Sequence, residues 1–283
     1  MKLNFTKMHG CGNDYIYVNC FDPQNAQAVK DPSALAIRLS DRHFGIGSDG
    51  VILVCPSDIA DAKMRMFNAD GSEGKMCGNG IRCVGKFVYD YGIAVKPEIA
   101  IETLSGIKTL QMEIENGVAV GATVNMGAAI LDPAEIPTRF TGDRAISVPL
   151  SANGTEHSVT CVSMGNPHCI LFVDDVDSLE LEKIGPAFEK HEMFPEQINT
   201  EFIRVIDDHT LQMRVWERGS GETWACGTGA CASAVAAVLN GYCPMNEEIT
   251  LHLRGGDLRV RYTEDAVYMT GPAVSVFEGT VEV

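Results

Sequence analysis

"ETWACGTGACASAVAAVLNG" (Glu222–Gly241) sets Cys226 among glycines and follows it with a run of small apolar residues. "SEGKMCGNGIRCVGKFVYDYG" (Ser72–Gly92) repeats the pattern around Cys77, 149 positions earlier. The echo runs without a gap on both sides of the cysteines, pairing Met64/Met213, Arg65/Arg214, Glu73/Glu222, Gly78/Gly227 and Gly80/Gly229, with Phe67 opposite Trp216. Downstream, "EIAIETLSG" (98–106) faces "EITLHLRGG" (248–256), and upstream Gly12-Asn13 faces Gly165-Asn166. Several echoes in the same order mark an internal duplication, hence two similar domains. No Pro- or Ser-rich linker separates the halves, so they are expected to pack together with a cleft between them.

Each half carries the same kinds of element. The β-branched runs "YIYV", "VILV" and "MRMF" in the first half, and "CILFV", "FIRVI" and "LQMRVW" in the second, read as strands, as do the later "LRVRY" and "AVYM". "PSALAIRLSDRH" and "SLELEKIGPAFEKH" read as short helices. After Cys77 the apolar positions Ile81, Val84, Val88 and Tyr91 predict a helix with one buried stripe, stopped by Gly92. After Cys226, Ala230–Leu239 is small or apolar nearly all round, which predicts a central helix wrapped by sheet. The fold class is therefore α/β (α+β), rich in strand, with one helix directly after each cysteine.

Bulk properties exclude several functions. With 38 acidic against 22 basic residues, a formal charge of −16 offers no basic face for nucleic acid or an anionic membrane. The N-terminus has no signal-like apolar segment, and no apolar run approaches the ~18 residues of a membrane span. Ten cysteines without a secretory signal read as thiols, which points to a cytoplasmic setting.

Placed at a helix N-terminus, each cysteine meets unpaired backbone N–H groups and the positive end of the helix dipole. That setting predicts a lowered thiol pKa. The glycines also let a ligand carboxylate approach the same N–H groups. A sulfur beside a carboxylate site suggests chemistry at an α-carbon. Two such sulfurs predict removal of the α-proton on one face and delivery on the other, which inverts the centre. Cys11, Cys20, Cys55, Cys83, Cys161, Cys231 and Cys243 read as core thiols. No C-x-x-C pair or H-E-x-x-H supports a metal. "GIGSDG" (45–50) matches a dinucleotide-binding pattern by letter only, because it opens onto a strand rather than a helix.

"KMHGCGNDY", "DRHFGIGSDG", "FNADGSEGKMCGNGIRC", "GNPHCILFV", "NTEF" and "WERGSGETWACGTGACAS" together resemble the diaminopimelate epimerase family over essentially the whole chain. The resemblance implies two pseudo-symmetric domains, each a curled, mostly antiparallel or mixed sheet around a central helix. The corresponding boundaries are 1–122 plus 270–283 for the Cys77 half and 123–269 for the Cys226 half. It implies interconversion of LL- and meso-diaminopimelate, in lysine and peptidoglycan precursor biosynthesis, with no cofactor and no metal. Cys77 and Cys226 would be the acid/base pair. Asn13, Asn68, Gly78, Asn79, Asn166, Asn199, Glu217, Arg218, Gly227 and Thr228 would bind substrate, and the protein would be a homodimer. Arg218 suits a substrate carboxylate and the asparagine carbonyls suit an ammonium. His168 and Glu217 are candidate supports for a thiol, although His168 also reads as a turn cap after Pro167. Asn68 and Glu217 occupy equivalent repeat positions, so the halves match in reacting groups and differ in recognition groups. Gly50 stands where some family members carry glutamine and is left outside the expected site. The alternative is a sister racemase of histidine, lysine, proline or hydroxyproline on the same fold.

Overall fold

A computed structural model describes residues 1–283, the whole chain. The chain divides into two units, Met1–Asn125 with Thr270–Val283, and Met126–Met269. In chain order the first unit contains β1 (Lys2–Gly10), β2 (Asn13–Asn19), α1 (Pro23–Ala28), α2 (Pro32–Ser40), β3 (Gly50–Cys55), β4 (Ala62–Asn68), β5 (Glu73–Gly74), α3 (Gly78–Asp90), β6 (Glu98–Thr103) and β7 (Gly106–Glu115). β8 (Val118–Gly127) leads out of it. The second unit contains β9 (Val148–Ala152), β10 (Thr155–Ser163), β11 (Pro167–Phe172), α4 (Leu181–Glu189), β12 (Asn199–Asp207), β13 (Thr210–Glu217), β14 (Gly221–Thr223), α5 (Gly227–Leu239), β15 (Glu248–Leu253) and β16 (Gly256–Tyr262). β17 (Val267–Pro272) leads back to β18 (Val274–Glu282), which pairs antiparallel with β1.

Strand pairing repeats between the units. β1 and β2 are antiparallel, β2 and β3 parallel, β3 and β4 antiparallel. Likewise β10 and β11 are antiparallel, β11 and β12 parallel, β12 and β13 antiparallel. Each parallel join is made through a helix, as a parallel pair requires a crossover: α2 and α4 bridge the first, and α3 and α5 bridge β4 to β6 and β13 to β15. Central strands bury both faces, so they read as continuous apolar runs. In the first unit one face packs Ile16, Val18, Val51, Leu53 and Phe67 with Leu35 and Leu39 of α2. The opposite face, with Tyr17, Ile52 and Met64, lies against α3.

The two long helices begin and end alike. Cys77 and Cys226 are the N-caps, each sulfur accepting the backbone N–H three residues on, from Gly80 at 3.4 Å and Gly229 at 3.3 Å. At the other end Gly92 and Gly241 have φ of 70° and 77°. Gly92 N–H bonds to Tyr89 O and Ile93 N–H to Val88 O, and Gly241 and Tyr242 bond in the same pattern to Val238 and Ala237. Both ends are thus Schellman stops, in which glycine takes the left-handed conformation at no steric cost.

The single buried stripe expected for α3 is not what forms. Asn79 through Val88 are all buried, and Tyr91 at the end of the stripe is exposed. Arg82 is fully buried because its guanidinium donates to Gly78 O, Asn79 Oδ1 and Pro272 O. Lys86 bonds to Asp90 and to Ala119 O. A charge so satisfied can be buried where helical periodicity places it on a wet face. Cys20 and Cys55 are only half-buried, at the far end of the β2–β3 pair, rather than core thiols. No helix is long and apolar enough to cross a membrane.

Candidate active site

Parity along the strands decides which side chains meet the cysteines. In β11, β12 and β13 the residues sharing a face with α5 are His168, Asn199, Glu201 and Glu217, since paired residues on neighbouring strands point the same way. In β2, β3 and β4 the same rule puts Asn13, Tyr15, Gly50, Ile52 and Asn68 on the α3 side. Each cysteine is then delivered by a short return strand, pinned by a repeated ion pair. Arg65 Nε lies 2.8 Å from Glu73 Oε1, and Arg214 Nε lies 2.8 Å from Glu222 Oε1, each with a second guanidinium contact to the other carboxylate oxygen. This explains why those arginines and glutamates match across the duplication: they fix the strand that ends at the thiol.

In the first unit the Cys77 thiol donates to Asn13 Oδ1 at 3.2 Å. Asn13 is itself held by Asp49, its Nδ2 donating to Asp49 Oδ2 at 2.7 Å. Arg42 ties Asp49 to Asp14, and Lys7 pairs with Asp14. Asn79 is buried, its Oδ1 accepting from Arg82 at 3.1 Å, and Gly78 O accepts from the same guanidinium. Asn68 is half-buried and its Nδ2 donates to Ser72. Gly50 faces Asn68, and a Cβ there would stand 2.1 Å from Phe67 O. No side chain fits at that place.

In the second unit Cys226 is buried, with Thr228 Oγ1 3.5 Å from its sulfur. His168 is fully buried; its Nδ1 meets Glu201 Oε1 at 2.7 Å and its Nε2 faces Asn166 Oδ1 at 3.1 Å. Glu217 accepts from the Thr223 hydroxyl. Asn199 Nδ2 donates to Pro167 O and its Oδ1 accepts the backbone N–H of Arg218. Arg218 is exposed, and its guanidinium donates to Glu196 O at 3.0 Å. Glu189 Oε1 accepts from Gly219 N–H and steadies the same turn.

The electrostatics correct one expectation. Burial pushes both thiols up from the ordinary 9.0, and the helix N-terminal N–H groups only partly offset it. At Cys77 the N–H groups of Gly80 and Asn79, Tyr15 and the Arg82 charge all act downwards. At Cys226, after burial, Glu217 and Glu201 push further up, so the thiol stands well above 9.0. Burial, then the neighbouring Glu201, raises the Glu217 carboxyl, while the Thr223 hydroxyl acts the other way.

Residues 5–131 and 160–276 match the profile of diaminopimelate epimerase. The chain is 56% identical over 282 residues to the diaminopimelate epimerase of Acetivibrio thermocellus, covering 99% of each chain. It is 54% identical to that of Methanococcus maripaludis, covering 99% of this chain and 100% of the relative.

The chain belongs to the diaminopimelate epimerase family.

It is accordingly an isomerase. Among solved structures, a phenazine biosynthesis protein of the PhzF family from Bacillus anthracis aligns over 100% of both chains with a TM-score of 0.71 at 17% identity. A hydroxyproline epimerase from Agrobacterium vitis aligns over 99% of this chain and 91% of its own with a TM-score of 0.69 at 14% identity. At those identities the likeness establishes the mixed α/β fold.

Within this diaminopimelate epimerase fold, Asn13, Gly78 and Asn79 gather around Cys77, and His168, Glu217, Gly227 and Thr228 around Cys226. Asn166 joins the second group through His168, and Asn199 and Arg218 through their shared turn. A cavity of about 490 Å³ in the first unit lies elsewhere, lined by residues such as Thr6, Tyr17, Tyr91 and Glu278, and includes none of these residues. Sequence reading missed Glu201, Tyr15, Arg82 and Asp49. Glu201 lies inside the quoted "NTEF", two residues after Asn199 and so on the same strand face, a signal that was available. His168, Glu201 and Cys226 bring three metal-type donor atoms within 4.8 Å of one another. A tetrahedral zinc spaces its donors about 3.3–3.7 Å apart, whereas His168 Nδ1 and Glu201 Oε1 are at 2.7 Å as a hydrogen bond. A bound metal would have to break that bond.

Proposed function

We propose that the chain interconverts LL- and meso-diaminopimelate without a cofactor, using Cys77 and Cys226 as a two-thiol acid/base pair, and so acts in lysine and peptidoglycan precursor biosynthesis. The observation that carries this reading is the twofold cap: each sulfur sits on a helix N-terminus beside glycines whose backbone can accept a carboxylate. One cysteine, as thiolate, takes the α-proton. The other, as thiol, delivers a proton to the opposite face of the same carbon, and each ends in the state its partner began in. Charge that builds on the substrate carboxylate in between is met by the N–H groups of the helix ends. Asn13, Asn68, Asn166, Asn199 and Arg218 suit the distal ammonium and carboxylate, and His168 and Glu217 support the Cys226 thiol. The 56% identity to a named diaminopimelate epimerase favours this substrate over proline or hydroxyproline, whose relative shares 14%. The protein is proposed to work as a homodimer in the cytoplasm.

The test is single replacement. Cys77→Ala and Cys226→Ala are each expected to lower epimerisation of LL-diaminopimelate at least about 10²–10⁴-fold, the range for a lost general acid or base, with unchanged circular dichroism. Near-native turnover in either variant rejects the two-thiol mechanism.

A further inference from the structure

The duplication supplies its own control. In the first unit Ile52 faces the first turn of α3, and a Cβ on Gly80 would stand 2.8 Å from Ile52 Cδ1. The equivalent place in the second unit holds Glu201, and a Cβ on Gly229 would stand 2.4 Å from Glu201 Oε1. A carboxyl group therefore takes the place of an alkyl group, at positions that are 0% exposed in both units. Burying a carboxylate is costly unless it is paired. Only one oxygen of this one is paired: Oε1 meets His168 Nδ1, and Oε2 has no partner. Packing gives no reason for such a residue, since isoleucine fills the same space in the sister unit.

We propose that Glu201 is a positioning residue for the proton transfer: its carboxylate fixes the His168 ring beside Cys226 and makes Cys226 the harder of the two cysteines to ionise. The proposal rests on the two-cysteine reading above. Nδ1–H of His168 donates to Glu201, which turns Nε2 towards the Asn166 amide. The ionisable groups grouped with Cys226 are His168 from β11, Glu201 from β12 and Glu217 from β13; α5 adds only Cys231. Two carboxylates thus oppose a thiolate at Cys226. The equivalents around Cys77 are Tyr15, Ile52 and Asn68, none of them a carboxylate; Asp49 reaches Cys77 only through Asn13, and Arg82 replaces Cys231 with a buried cation. The charge pattern makes Cys77 the readier of the two to become a thiolate and Cys226 the more resistant, so the two halves differ in how easily each gives up its proton.

Peptide-resolved mass spectrometry of iodoacetamide labelling tests this on the intact protein, following Cys77 and Cys226 separately from pH 6 to 10. Glu201→Gln is expected to speed Cys226 labelling at pH 7.5 about tenfold, the order of effect of removing one charge at this range, while Cys77 changes by less than about twofold. Glu201→Ile carries the test if glutamine impairs folding, because the first unit folds with isoleucine at that place. Unchanged Cys226 labelling in a folded variant overturns the proposal, as does an equal rise at both cysteines, which marks general loosening. Labelling needs no turnover, so failure of the two-cysteine reading shows separately, as retained activity in Cys226→Ala.

Discussion

The same substitution made at two equivalent glycines separates packing from propensity. Gly80 and Gly229 both lie in the first turn of their helices, and neither has a positive φ. Alanine in either helix gains about 1 kcal/mol of intrinsic propensity. At Gly80 the new Cβ meets Ile52 Cδ1 at 2.8 Å and Met64 Cε at 3.3 Å, the free ends of flexible side chains. Their displacement costs about as much as the propensity gains, so Gly80→Ala should fall within about 1 kcal/mol of the parent. At Gly229 the Cβ meets Glu201 Oε1 at 2.4 Å and Cys226 Sγ at 3.2 Å. Glu201 cannot yield without breaking its bond to His168. Overpacking costs about 1–3 kcal/mol and a charge-assisted hydrogen bond about 1.5–3 kcal/mol, leaving a net loss of about 3 kcal/mol. For a chain of this size that is on the order of 10 °C in the thermal midpoint. Differential scanning calorimetry of the two variants side by side reads it. Equal midpoints, or a larger drop for Gly80→Ala, refute the reasoning.

Two further outcomes follow from the first unit. Because burial raises the Cys77 thiol, its alkylation in the free enzyme should be half-maximal above pH 9.0; a midpoint below that value would mean that the helix end outweighs burial. The sign for stability is the same: a thiol raised in the folded state contributes stability below about pH 9, lost as pH rises through the folded value, so thermal midpoints should fall on the alkaline side. Gly50→Ala drives a Cβ to 2.1 Å from Phe67 O, a backbone atom that cannot swing aside. It should lower the thermal midpoint by several degrees, and an unchanged midpoint contradicts the close approach of β3 and β4.

The parts of this molecule that repeat were legible in the sequence. Cys-Gly-x-Gly followed by an apolar run and a glycine gives cap, helix and Schellman stop in both units, since each is set by residues within one or two turns. What did not repeat was harder to see. Arg82 and Lys86 look like a wet helix face because periodicity counts charges as exposed, and only distant carbonyls such as Pro272 O and Ala119 O satisfy them. Glu201 pairs with a histidine 33 residues away on a neighbouring strand, and a glutamate in a strand that also carries Asn199, Thr200 and Arg204 shows no local mark of being buried. The raised thiols have the same origin. The helix end that lowers a thiol is written in local sequence, whereas the burial that raises it belongs to the assembled sheet.

The central claim is that the proton removed and the proton delivered belong to different cysteines, and isotope tracing reads it directly. LL-diaminopimelate is incubated with the reduced protein in D₂O, with EDTA and no added cofactor, and both stereoisomers are followed at early times. The account predicts that meso product carries solvent deuterium at the inverted α-carbon while unreacted LL-diaminopimelate keeps its protium. Meso product that retains the original proton would show a single group returning what it removed, and would contradict it.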